Sequence, residues 1–183
     1  MADPDPFAAR LAAAQAGSEW AWRSLYDEFA PTVAGYLRAQ GVRDVEAVAS
    51  EVWLGVFRAI GSFSGGADGF RSWLFVIAHR RVTDDRRRGG RDRSITVPEV
   101  AAGGEAPGAD TEAMRSLATE RVLATLDRLS AEQRDVLVLR IVGDLTVAQV
   151  AAVVGRSEGA VKALQRRGLE AVRRILSTEG VTL

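Results

Sequence analysis

The chain has 183 residues, a net charge of zero and 47% apolar residues, enough for one sizeable core or two small ones. It has no cysteine and a single histidine, His79, which excludes disulfides, thiolate metal sites and multi-histidine metal sites and makes histidine-based catalysis a poor expectation. The acidic start "MADPDPF" lacks the basic and apolar parts of a signal peptide, and no apolar run approaches membrane-spanning length; a soluble, cytoplasmic protein without membrane insertion is expected.

Apolar residues recur at spacings of three and four, and no convincing alternating run appears, so the pattern predicts helices throughout. One covers "EWAWRSLYDEF" and a second "TVAGYLRAQ", with Pro31 between them. A third runs from about Val45 to Ile60, with Val45, Val48, Val52, Trp53, Val56, Phe57 and Ile60 forming a wide stripe to bury. Its opposite side carries Ala47, Ser50, Glu51 and Arg58 with Leu54 in the middle, either an ordinary exposed leucine or the anchor of a protein interface.

The loop "GSFSGGADG" follows, and a fourth helix runs from Phe70 to about Arg88. This helix starts apolar and ends basic. Residues 76–93 carry seven arginines against three aspartates, whereas residues 1–70 carry a net charge of −4. Arg80–Asp84, Arg81–Asp85 and Asp84–Arg88 are spaced as i,i+4 pairs, each able to contribute a few tenths of a kcal/mol. Arg86, Arg87, Arg88, Arg91 and Arg93 outnumber the acids that remain, and such a row suits a phosphate backbone as well as a solvated face. Phe63, in the glycine loop beside these arginines, could stack on a single-stranded base or plug the core beneath the loop.

Residues 94–115, rich in Gly, Pro and acids, break the periodicity and read as a flexible acidic linker. They divide the chain into an N-terminal helical domain, 1–93, and a C-terminal one, 116–183. In the latter, helices are expected over roughly Leu117–Leu129, Ala131–Val142, Val147–Val153 and Glu158–Leu176. Ser130 with Gln133, and Thr146 with Gln149, each fit a capping box.

The last two helices are joined only by a short turn. Gly155 suits a positive φ there, and Ser157 suits the N-cap of the final helix. On that helix Ala160, Val161, Leu164, Gly168, Ala171 and Val172 fall on one side, while Glu158, Gly159, Lys162, Gln165, Arg166 and Arg173 fall on the other. Leu169 fits poorly, lying on the polar side. The arrangement is a helix-turn-helix whose second helix can enter a major groove, with long donors for base edges or phosphates. A four-helix domain with a merely solvated charged face is the alternative.

The segment "LSAEQRDVLVLRIVGDLTVAQVAAVVGRSEGAVKALQRRGLEAVRRIL" closely resembles the promoter-reading C-terminal domain of the extracytoplasmic-function (ECF) group of RNA polymerase sigma factors. "LYDEFAPTVAGYLRAQGVRDVEAVASEVWLGVFRAI" with "FRSWLFVIAHRRVTDDRRR" resembles the N-terminal domain of that group. The resemblance implies that Glu46, Glu51, Trp53 and Leu54 help dock on the clamp helices of the polymerase large subunit. It places Arg80, Arg81, Asp84, Arg87 and Arg88 at the −10 element, with Phe63 in the loop that receives an everted base. Arg156, Ser157, Glu158, Gly159, Lys162, Gln165 and Arg166 would read the −35 element as duplex. Expected partners are RNA polymerase core enzyme, promoter DNA and an anti-sigma factor, with no cofactor, no metal and no catalytic residue.

Two departures stand out. In "AVASE" Ala47 and Ser50 replace the usual acid and glutamine of the clamp-docking helix, and Arg80 replaces the usual asparagine of the Arg-rich helix. A stand-alone helix-turn-helix regulator is the rival reading, distinguished by binding its site without polymerase.

Overall fold

The computed structural model describes residues 6–91 and 109–178, and the regular elements among them are all helical. In chain order they are α1 (Pro6–Gln15), α2 (Glu19–Ala39), α3 (Val45–Ala59), α4 (Ala67–Arg91), α5 (Ala109–Asp127), α6 (Ala131–Ile141), α7 (Val147–Val154) and α8 (Glu158–Thr178). A 3-10 turn, Ile60–Ser62, follows α3. No helix is long and apolar enough to cross a membrane among the described residues.

Three elements differ from the sequence pattern. Helix α1 goes unsignalled because only Phe7 and Leu11 mark its buried face among alanines, yet both pack into the core. The two helices expected on either side of Pro31 are one, α2. A proline inside a helix costs about 3 kcal/mol or more, but the buried stripe Leu25, Phe29, Val33, Tyr36 and Leu37 runs through it in phase. Pro31 itself sits on the exposed side, where water can serve the carbonyl it leaves without a donor. Helix α5 begins at Ala109, inside the stretch read as linker, because "EAMRSLATERVLATL" is made largely of good helix formers. Residues 92–108, including the "ITV" segment and Arg93, lie outside the described residues.

Helix ends follow local chemistry. Both capping boxes form: the Ser130 and Thr146 hydroxyls accept from the backbone N–H of Gln133 and Gln149, whose side chains accept in return. Each such cap is worth about 1 kcal/mol. Asp44 caps α3 by accepting from Ala47 N at 2.9 Å.

The two halves share one core. Helix α4 packs on α3 and α2 and, on another side, on α7; α2 also touches α5 and α6. Phe70, Leu74, Phe75, Ala78 and Val82 of α4 are fully buried in one cluster with Val33, Tyr36, Val52 and Val56 of the N-terminal half and Leu139, Leu145, Val150 and Val161 of the C-terminal half. At the seam, Gly143 has no room for a side chain: a Cβ there would lie 2.6 Å from the Leu139 carbonyl oxygen and 3.3 Å from the Phe75 ring. A smaller cluster, Leu129, Leu137, Ala171 and Ile175, holds α8 on α6.

Polar groups are buried along the same seam. The Tyr36 hydroxyl is hydrogen-bonded to His79 Nδ1 at 3.1 Å. Burial raises the Tyr36 phenol, reinforced by the Asp135 carboxylate, so it stays neutral. Burial lowers the His79 imidazole below its ordinary 6.5, with Asp135 opposing the shift and Arg86 adding to it; Glu132 and Arg156 line the same small cavity. The folded chain therefore takes up this proton less readily than the unfolded one. Stability from neutral His79 is present above about pH 6.5 and is lost as pH falls toward the folded value. Thermal melts at pH 7.5 and 5.5 should show wild type losing more melting temperature on acidification than His79→Gln. Equal losses would show that His79 carries no such linkage.

Candidate nucleic-acid interface

Helix α7 ends at Gly155, whose φ of 66° and ψ of 39° turn the chain in a left-handed conformation open to glycine at little cost. Two residues later Ser157 Oγ accepts from Ala160 N at 3.3 Å and starts α8. Val161, Leu164, Gly168, Ala171 and Ile175 of α8 are buried, which fixes the rotation of the helix. Ser157, Glu158, Gly159, Lys162 and Arg166 are exposed as expected, and Gln165 is half-buried beside them. Arg156 lies at the turn but is ion-paired to Glu132 of α6.

Gly159 and Gly168 do different jobs. Nothing lies within 4 Å of a Cβ built on Gly159, which keeps the face of the first turn of α8 flat. A Cβ on Gly168 would lie 2.9 Å from Leu137 Cδ1, so this glycine lets α8 approach α6 closely. Leu169, the misfit on the polar side, lines an apolar groove with Val122, Leu126, Ile141 and Val172. The α8 apolar face is therefore wider toward its C-terminus than its first turns suggest.

The basic half of α4 forms the second face. Arg80, Asp84, Arg87 and Arg88 are exposed and Arg81 is half-buried. Glu51 of α3 ties it down, lying 3.9 Å from Arg81 Nε and 3.4 Å from Arg88 Nη1; Arg81 also faces Asp84 at 4.0 Å. Arg81 thus pairs at i,i+3 and across to α3, in place of the expected partner Asp85. Arg86 does not belong to the row of unmatched guanidinium groups: it turns into the seam and donates to Asp135 Oδ1 at 2.9 Å and Gln40 Oε1 at 2.6 Å.

Phe63 is half-buried, its ring 5.5 Å from Phe70 and 5.0 Å from Trp73. The loop that carries it is pinned by Gln15 Nε2, which donates to the Ile60 and Phe63 carbonyls at 2.9 and 2.7 Å. A Cβ on Gly65 would lie 3.1 Å from the same ring. The ring is thus clasped between loop and core, with three of its neighbours supplied by the chain itself.

The structure divides the four residues expected to dock on polymerase. Glu46 and Trp53 share a groove of about 700 Å³ between α2 and α3, lined also by Tyr26, Asp27, Ala30, Pro31, Ala34, Arg38 and Ser50. Leu54 is 48% exposed on the neighbouring side of α3, while Glu51 is turned toward α4. Phe57, expected in the buried stripe, is 62% exposed instead, because α2 and α4 cover only the Val48–Val52–Val56 side. Its ring stacks 5.1 Å from Trp22, and Tyr26 stacks 4.9 Å from Trp53. These aromatics form a surface that reading α3 alone misses. The run "EWAW" was the one available signal for it.

A capped helix-turn-helix with an exposed basic face, joined to a second half that presents its own basic helix, is the architecture of a helical DNA-binding protein. Family models place it further: the model for Sigma-70 region 2 matches residues 25–92 and that for Sigma-70, region 4 matches residues 125–174. The chain is 33% identical over 173 residues to the ECF RNA polymerase sigma factor SigD of Mycobacterium tuberculosis, covering 89% of this chain and 80% of SigD. It is 30% identical over 176 residues to SigL of the same species, covering 95% and 99%. BldN of Streptomyces coelicolor is 32% identical over 166 residues, and there the chain spans only 63% of the relative's length. Among solved structures, CnrH in complex with the cytosolic domain of CnrY is similar, with a TM-score of 0.66 and 25% identity over 92% of this chain and 96% of that one. The chain belongs to the ECF group of RNA polymerase sigma factors.

The contrast between the two glycines of α8 can be measured. Gly159→Ala should leave the melting temperature unchanged or raise it, since alanine favours a helix by up to about 1 kcal/mol, yet weaken duplex binding. Gly168→Val should cost about 1–3 kcal/mol of stability through overpacking against Leu137. A Gly159→Ala protein with unchanged DNA affinity would take the first turn of α8 out of the interface.

Proposed function

We propose that this chain directs RNA polymerase core enzyme to promoters whose −35 element is read as duplex by α8 and whose −10 element, once opened, is held along α4. The observation that carries the reading is the pair of exposed basic faces, α8 from Ser157 to Arg166 and α4 from Arg80 to Arg88, one on each sigma-matched half. In the duplex, Lys162, Gln165 and Arg166 supply long donors to base edges and phosphates, and Arg156 exchanges Glu132 for phosphate. Glu158 and Gly159 sit at the positive end of α8, where backbone N–H groups point outward.

On the other half, guanidinium groups of Arg80, Arg81, Arg87 and Arg88 follow a separated strand, with Asp84 and Glu51 setting their directions. Phe63 shapes the floor of the loop that receives an extruded base. Core enzyme docks on α3 and the adjoining α2 aromatics, using Glu46, Trp53 and Leu54 with Phe57 and Trp22. Trp53 lines the groove between α2 and α3 with Glu46 and Tyr26, which supports this. An anti-sigma factor is the expected inhibitor, supported by the likeness to CnrH, solved while holding a domain of a second protein.

The deciding experiment is run-off transcription with purified core enzyme on a promoter library. Defined start sites that need both core and this chain are expected; sequence-specific binding by the chain alone, with no initiation, would favour a stand-alone regulator. In that assay Arg166→Ala should cost about 1–3 kcal/mol of −35 discrimination, and unchanged −35 preference would remove Arg166 from the readout. Leu54→Asp should weaken core binding at least tenfold while the melt stays intact. Retained core affinity would place docking wholly on the α2–α3 groove.

A further inference from the structure

Helix α1 makes a contact that its own packing does not require. Phe7, Leu11 and Ala14 are buried, and the Phe7 ring lies 5.5 Å from that of Phe70. Arg10 donates to Ser24 Oγ at 3.2 Å and to the Glu28 carboxylate, which fixes α1 along α2. The helix then stops at Gly17, whose φ is 86°, with the Gly17 and Ser18 N–H groups donating back to the Ala14 and Ala13 carbonyls. Gln15, the last residue of α1, is exposed and could rest in water. Its Nε2 instead donates to the Ile60 and Phe63 carbonyls at 2.9 and 2.7 Å, 45 and 48 positions further along the chain.

The loop that receives these bonds has reason to need them. Residues 61–66, "GSFSGG", hold three glycines, and glycine loses more backbone freedom on ordering than any other residue. Phe63 N–H donates to the Ile60 carbonyl at 3.0 Å and Ser62 Oγ to the Ala59 carbonyl at 2.8 Å, which closes the 3-10 turn. Gln15 engages the Phe63 carbonyl where the chain leaves that turn. Nothing lies within 4 Å of a Cβ built on Gly61 or Gly66, so the loop has open space before and after Phe63. A Cβ on Gly65 or Gly69 would meet the Phe63 ring at 3.1 or 3.7 Å, so the ring forms the floor under the glycine backbone.

We propose that Gln15 is a positioning residue for −10 readout: by tying the Ile60 and Phe63 carbonyls to α1, it sets the shape of the loop that receives the extruded base. The readout part deepens the promoter reading above and rests on it; the tie itself does not. The family model for region 2 begins at residue 25, so α1 lies outside the segment it matches.

A loop shaped before its ligand arrives gives up less freedom on binding. It also discriminates, because a base that needs a different loop shape must first break the Gln15 bonds. A role in stability alone would lower the melting temperature and leave base preference untouched. The positioning role changes preference at the −10 element and not at −35.

The test uses the full chain and four proteins. Gln15→Met keeps the length of the side chain and removes its donor; Gln15→Lys keeps a donor. Ala16→Lys, exposed and one residue on, controls for the added charge. Amide hydrogen exchange, followed by NMR without DNA or polymerase, reads the tie. The Phe63 amide should exchange about tenfold faster in Gln15→Met than in wild type, in line with the loss of one or two ordinary hydrogen bonds. Gln15→Lys should stay near wild type, and α8 amides should not change in any variant. Run-off transcription with core enzyme, on promoters randomised through the −10 element, reads the function. Gln15→Met should flatten base preference severalfold at one −10 position, with −35 preference and core affinity unchanged. Gln15→Lys should restore the preference, and Ala16→Lys should leave it as in wild type. Unchanged Phe63 exchange in Gln15→Met would overturn the tie. Faster exchange with unchanged −10 preference would overturn the positioning role. If wild type starts no RNA synthesis, the sigma-factor reading fails, while hydrogen exchange still decides the tie.

Discussion

Everything in this protein is arranged around the apolar half of α4. Phe70, Leu74, Phe75, Ala78 and Val82 have no exposed surface, and they are covered from separate directions by α2, α3 and α7. Phe70 meets Phe7, Phe29, Phe63 and Trp73, each pair at 5.3–5.6 Å between ring centres, so one ring ties α1, α2 and the glycine loop to the helix. A helix that is hydrophobic all round must be buried all round. The N-terminal half alone leaves one side of it open, and the C-terminal half closes that side.

The same helix is basic at its other end. Burying its first turns holds the Arg80–Arg88 segment in a fixed direction, so its exposed guanidinium groups present a line of charge and not a cloud. Helix α8 repeats this division of labour: Val161, Leu164 and Gly168 anchor it on α6 and α7, and the first-turn donors face outward. In both helices, apolar burial sets the orientation of a charged surface. That is how a chain of zero net charge presents two cationic faces.

Acids then decide which cations are available. Glu51 engages Arg81 and Arg88 at the surface, where such pairs are worth little. Asp135 takes Arg86 in a largely buried setting, and that guanidinium is removed from the cationic face altogether. Two arginines only two positions apart, Arg86 and Arg88, thus have opposite uses. Their difference comes from burial and partner, not residue type.

Local rules made much of this legible in the sequence. The capping boxes at Ser130 and Thr146, the left-handed Gly155, the cap at Ser157 and the buried face of α8 depend on residues within four positions of one another, and each forms as read. Exposure of Leu54 followed from helical periodicity alone. Tertiary structure decided the rest, because the answers depended on which helix covers which side. Pro31 was overruled by a stripe that packs on distant residues, Phe57 was left mostly exposed because only Trp22 at the edge of α2 reaches it, and α1 is held by a core it does not itself reveal. The meeting of Arg86 with Asp135, 49 residues away, needs a seam between two halves that no window of local sequence contains.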